Sequence, residues 1–156
     1  MKTKQTLLLT TAFIFLCAGF ASVNAQKPPT AAPYKITGIK IVPFDQMTGE
    51  FQTEITPTDE RSFFNEISLR FLISVEVSGE SGTFEAGRTV EIVVLEGKKQ
   101  IMKKTEQIGL VGDGGKFYMP FWIDKPLCDE LTVTARIVGQ KTASVRKRKA
   151  SFMCGE

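Results

Sequence analysis

The sequence predicts an all-β fold: an antiparallel two-sheet sandwich of about eight strands held by one disulfide. Three observations lead there. From Ile67 to Val77, the residues Ile67, Leu69, Phe71, Ile73, Val75 and Val77 are large and apolar at every second position. Ser68, Arg70, Ser74 and Glu76 between them are polar, and Leu72 alone breaks the pattern. Side chains on a strand alternate between faces, so this is a long strand with one dry face and one mostly wet face. Second, glycine-rich turn signals separate further alternating stretches along the whole chain. Third, the cysteine usage fits an exported domain with a single bridge.

The N-terminal 25 residues read as a secretory signal: Lys2 and Lys4, an apolar run of 11 residues from Leu7 to Cys17, then the small-residue site Val23-Asn24-Ala25. Cleavage is expected before Gln26. The run is short for a membrane anchor, which needs about 20 apolar residues, and Leu16 is too bulky for lipid attachment at Cys17. Removing 25 of 156 residues leaves 131, the size of one domain. No later segment is apolar enough in sequence to span a membrane, so no integral membrane segment is expected after cleavage. The location implied is periplasmic or extracellular.

Residues 26–33 form a proline-rich lead that reads as a tether, and residues 34–156 form the β domain. Ile36, Ile39, Ile41 and Val42 mark a first strand running to about Phe44. The turn Asp45 to Gly49 leads to a weaker second strand through Phe51, Thr53 and Ile55. Pro57 to Phe64 can hold one helical turn capped by Thr58 or Asp59. After the long strand, Ser78 to Gly87 is a loop, and residues 88–95 alternate again through Val90, Ile92 and Val94. Glu96 to Lys99 is a hairpin turn into residues 100–110. Gly112-Asp113-Gly114-Gly115 is a stronger turn signal and leads into Phe117 to Ile123. Leu131, Val133, Ala135 and Ile137 give a seventh strand, and Gly139 to Thr142 turns it into a last strand from Ser144 to Met153.

With Cys17 gone, Cys128 and Cys154 remain, and in an exported chain they are expected to pair. If residues 139 and 143 face each other across the last turn, paired positions sum to 282, as Cys128 and Cys154 do. That register sets Val133 opposite Lys149 and Ala135 opposite Lys147, mixing core with charge. A bulge in the last strand, or its placement at a sheet edge, would resolve the conflict. The architecture is shared by immunoglobulin-like and fibronectin-like modules, although the Cys, Trp, Cys spacing of true immunoglobulin domains is absent.

The chain contains no histidine. This removes the commonest general base and excludes Ser-His-Asp and Cys-His catalysis, and two thiols without histidine make a poor metal site. The carboxylate pairs Asp59/Glu60 and Asp129/Glu130 are sequence neighbours that a strand would point to opposite faces. Gly112 to Lys116 lacks the spacing of a phosphate loop. A non-catalytic protein without cofactor or metal is the expectation.

Two stretches are candidate binding surfaces. In Phe117 to Ile123, one face (Phe117, Met119, Phe121, Ile123) reads as core, which leaves Tyr118, Pro120 and Trp122 on the other. Proline cannot donate a ladder hydrogen bond, so this strand should lie at an edge or contain a bulge. Tyr118 and Trp122 would stand about 13 Å apart and could bracket an extended ligand. The competing expectation is that Trp122 covers the end of the core. Arg146, Lys147, Arg148 and Lys149 are four consecutive cations, with Arg146 and Arg148 pointing one way and Lys147 and Lys149 the other. They either protect an edge from aggregation or engage an anionic polymer.

Residues 26–96 hold 6 basic and 11 acidic side chains and residues 97–156 hold 12 and 6, so charge is unevenly distributed although the mature net charge is only +1. A charge that small lacks the overall field of a dedicated polyanion binder, which favours edge protection for residues 146–149 and argues against nucleic acid. The pattern as a whole implies an exported binding or structural module for a protein or glycan, and alternatively an adaptor for anionic envelope or extracellular polymers.

Overall fold

Strict alternation over ten residues produces the strand at the middle of the first sheet. In β3 (Leu69–Ser78), Leu69, Phe71, Ile73, Val75 and Val77 are buried, and every residue between them is half-buried. Fully burying a side chain of this size contributes roughly 1.5–3 kcal/mol, which holds this face against a second layer. The computed structural model describes residues 33–56, 59, 68–141 and 143–152. The expected secretory signal, the expected proline-rich lead apart from Pro33, nearly all of the expected helical turn, and Cys154 lie outside these residues. Among the described residues no helix is long and apolar enough to cross a membrane.

Eight strands form two four-stranded antiparallel sheets, and the described residues contain no helix. The first sheet has the order β2 (Glu50–Phe51), β1 (Lys35–Asp45), β3, β6 (Lys116–Ile123). The second has the order β5 (Lys99–Gln107), β4 (Thr89–Glu96), β7 (Leu131–Val138), β8 (Val145–Ala150). The two sheets share one apolar cluster, with Ile41, Ile73 and Phe121 from the first and Ile92, Val133 and Ala135 from the second. β1 also lies against β7 and β8, giving a sandwich-like arrangement.

β1 shows why its apolar residues are spaced unevenly. Ile36 and Ile39 are both buried although three positions apart. The register with β3 shifts between Ile36 and Gly38, and that extra residue returns both side chains to the core. The beginning of the strand is fastened to the opposite sheet. Tyr34 N–H donates to Gln140 Oε1 (3.1 Å) and Gln140 Nε2 donates to the Tyr34 carbonyl (2.9 Å). Ile36 N–H donates to Ser144 Oγ (2.9 Å). The Tyr34 ring covers Gly79, where an added Cβ would come within 2.7 Å of it.

Several expectations change. The second strand shrinks to two residues, and the chain beyond it is held by Gln52 N–H to Pro43 O (2.9 Å) and Ile55 N–H to Ile41 O (2.9 Å). The glycine turn at residues 112–115 closes on itself through Gly115 N–H to Gly112 O (2.9 Å), but it carries the chain from β5 of the second sheet to β6 of the first. It is a crossover, not a hairpin. In the last hairpin Leu131 pairs with Ala150 and Arg136 with Val145, so paired positions sum to 281 and not 282. No shift interrupts this register, which removes the expected bulge. The edge position of β8 is what accommodates its charge.

Candidate binding surface

Outward residues of the first sheet are the alternates of its core residues, and the registers place them in rows. Gly38, Glu76 and Tyr118 form one row, Lys40, Ser74 and Pro120 the next, and Val42, Leu72 and Trp122 the third. Phe44 follows, paired with Arg70 on one side and Phe51 on the other. The three sequence-predicted residues Tyr118, Pro120 and Trp122 therefore share the outward face, on a strand that is the sheet edge as its proline requires.

Trp122 does not cap the core. It is 37% exposed and sits on the outward face against Phe44 (ring centroids 5.8 Å apart, 79° between planes) and Phe51 (6.0 Å, 33°). Phe44 and Phe51 meet at 5.0 Å. Phe51 is 56% exposed and Tyr118 51%. Tilted and edge-on aromatic contacts are favourable by roughly 0.5–1.5 kcal/mol each beyond the area they bury. The indole is thus held from one side while part of its surface meets solvent. It also lines an open groove of ≈ 490 Å³ with Ile101 and Met102 of β5.

At the other end of this face, Glu76 gathers polar partners. Thr37 Oγ1 donates to Glu76 Oε1 (2.7 Å) and Lys116 Nζ approaches the same oxygen at 3.1 Å. The Thr37 hydroxyl, then Lys116, and to a smaller extent the Tyr118 hydroxyl hold the Glu76 carboxyl below its ordinary 4.5, against a smaller opposing effect of burial. A carboxylate stabilised in the folded state adds stability above its unfolded pKa, and that stability is lost as pH falls through the lowered folded value. The unfolding free energies of wild type and Glu76→Gln are therefore expected to differ most above pH 4.5 and to converge on acidification. Denaturant unfolding at stepped pH measures this, and a constant difference down to low pH would show that Glu76 does not titrate in this way.

The basic strand lies elsewhere, at the edge of the second sheet. Arg148 faces inward opposite Val133, is half-buried, and donates through Nη2 to the Ile55 carbonyl (2.6 Å). Arg146 shares that side but is exposed. Lys147 and Lys149 point outward, and Lys149 Nζ pairs with Glu130 Oε1 at 2.7 Å. Cys128 is exposed and precedes β7. Its N–H donates to Glu96 Oε1 (2.9 Å), whose other oxygen binds Lys125. Burial acts to raise the Glu96 carboxyl, but Lys125, this N–H and the charge of Lys99 outweigh it, and the group is held below the ordinary range.

The carboxylates do not gather. Asp129 Oδ1 accepts from Glu130 N–H (2.6 Å), while the Glu130 carboxylate turns to Lys149. Glu60 lies outside the described residues. Among the described residues no three acidic or thiol side chains cluster as metal ligands would.

Sequence reasoning missed Val42, Phe44 and Phe51 as members of the aromatic face. The signal that could have found them was Leu72, the one apolar residue on the wet side of the long strand, whose cross-strand neighbours are Val42 and Trp122. No protein-family model matches this chain, and a search of curated proteins returned no match.

Proposed function

We propose that this protein is an exported, non-catalytic module that binds an extended partner, a protein segment or a glycan, across the outward face of its first sheet. The observation that carries this reading is the half-exposed indole of Trp122, braced by Phe44 and Phe51 and followed along the same strand by the exposed Tyr118. Monomeric surfaces seldom spend aromatic rings in this way, whereas contact surfaces are enriched in Tyr and Trp because each offers a large rigid area at low entropic cost. Ser74 and Pro120 form the row between those of Tyr118 and Trp122, which stand about 13 Å apart along the strand. Glu76, Thr37 and Lys40 supply polar groups beside them.

Export rests on the N-terminal signal pattern. The immunoglobulin-like type and a Cys128–Cys154 disulfide belong to the same reading.

Trp122 is the only tryptophan of the chain, so its fluorescence reports on this face alone. The purified protein is titrated with a panel of neutral oligosaccharides and with extended peptides at low and high salt. Binding should shift the emission with little dependence on salt, and Trp122→Ala or Tyr118→Ala, compared with wild type by calorimetry because the first removes the fluorophore, should weaken it by about thirtyfold, as at a contact hot spot. Which part of the panel binds distinguishes glycan from protein segment. Binding that neither substitution weakens would remove the aromatic face from the reading.

A further inference from the structure

The strands of the second sheet hold eight Lys and Arg against three Glu. Those of the first hold four against three Asp and Glu. The charge asymmetry of the sequence is thus gathered on one sheet. Registers show which of these cations share its outer face. Lys103, Val93, Thr134 and Lys147 form one row across all four strands, Glu91 and Arg136 stand in the next, and Lys149 follows Lys147 along β8.

Glu91 is the one acidic residue of these strands on that face. It is shared by Lys103 Nζ (3.4 Å) and Arg136 Nε (2.7 Å). Beside β8, Lys149 pairs with Glu130 (2.7 Å), and the charge of Lys147 also acts on that carboxylate without a close ion pair. Protecting a sheet edge calls for charge on edge strands and gives no reason for Arg136 on an inner one.

We propose that the outer face of the second sheet binds a linear acidic polysaccharide, with Lys103, Arg136, Lys147 and Lys149 as its cationic contacts. Lys103 and Lys147 are three strand spacings apart, about 14 Å, the reach of a few sugar residues. Thr134 lies between them and offers a hydroxyl. The face carries no aromatic ring on which unpaired bases could stack, and a sheet face offers no element that enters a duplex groove. This surface is opposite in chemistry to the aromatic face, although Lys103 lines the same open groove as Trp122, so the two adjoin at β5.

The test uses fluorescently labelled heparin as the acidic polysaccharide, read by anisotropy, with neutral dextran, mixed-sequence duplex DNA and phosphatidylserine vesicles as comparison arms. Heparin should bind at low salt, dextran should not, and affinity should fall by about tenfold between about 50 and 200 mM salt. Lys147→Glu with Lys149→Glu should weaken binding by about tenfold or more, and Lys103→Glu, far away in sequence, by about threefold or more. Arg146→Glu and Lys104→Glu, on the same two strands but facing the other way, should change it less than twofold, about the scale of a general field effect. Lys147→Arg with Lys149→Arg should retain it. An absence of heparin binding overturns the proposal, as does equal sensitivity to Arg146→Glu and Lys147→Glu. Tighter binding of DNA or vesicles than of heparin at the same salt overturns the assignment to a polysaccharide.

Discussion

Phe71→Ala is expected to lower the free energy of unfolding by about 3–5 kcal/mol, which for a domain of this size corresponds to a fall of about 10–20 °C in Tm. Phe71 is 1% exposed on the inward side of β3, and its ring meets Phe152 edge-on at 4.9 Å. Phe152 follows β8 of the second sheet, so the pair joins the two layers. Truncation removes the transfer energy of the ring, leaves a void that β3 cannot close, and deprives Phe152 of its partner. β3 cannot shift to fill the space because β1 and β6 pair with it on either side. Denaturant unfolding should show a lower midpoint with an unchanged slope. A loss of about 1 kcal/mol or less would mean that the ring is not part of a close-packed interior.

Reduction of the proposed Cys128–Cys154 bridge, or Cys128→Ser with Cys154→Ser, is expected to cost about 3.5 kcal/mol on the chain-entropy model. The effect should act mainly on the unfolded ensemble, where the bridge closes a loop around the β7–β8 hairpin. Before unfolding, a thiol titration of the oxidised protein in denaturant should find no reactive thiol in the mature chain. Unfolding with and without reductant then measures the stabilisation. Two titratable thiols and an unchanged midpoint would dismiss the bridge.

The parts of the fold legible in the sequence are those that a two-residue period specifies. Leu69 to Ser78, Thr89 to Glu96 and Leu131 to Val138 keep apolar residues at alternate positions, and each is a strand with the expected inner face. The last hairpin is a different case. Residues 146–149 are all cationic, so neither parity of that stretch is apolar, and only Ala150 and Phe152 beyond it, both buried, mark the inner side. A register shorter by one then exchanges Lys147 and Lys149 for Arg146 and Arg148 on the inner side. The short β2 was overestimated because Thr53 and Ile55 suit a strand, whereas the chain there makes only isolated hydrogen bonds to β1.

Tyr118 and Trp122 could be placed outward from alternation along one strand. Their aromatic neighbours could not. Phe44, Phe51 and Trp122 come from β1, β2 and β6, and they meet only because β3 sits between β1 and β6 in the strand order. Strand order is a property of long-range pairing that local pattern does not encode. The same is true of the cationic face, where Lys103 and Lys147 share a row although 44 residues separate them in the chain.

The hydrogen bonds that fasten Tyr34 and Ile36 to Gln140 and Ser144 also determine how the domain would carry a mechanical load. A pull on Tyr34 along the axis of β1 loads its ladder with β3 in shear, so that many hydrogen bonds resist together. A pull across the sheet would unzip them one after another. The Gln140 and Ser144 contacts oppose that unzipping at its first step, because the strand end must leave the second sheet before it can peel from β3. The rupture force is therefore expected to differ between the two pulling directions and to be higher along β1.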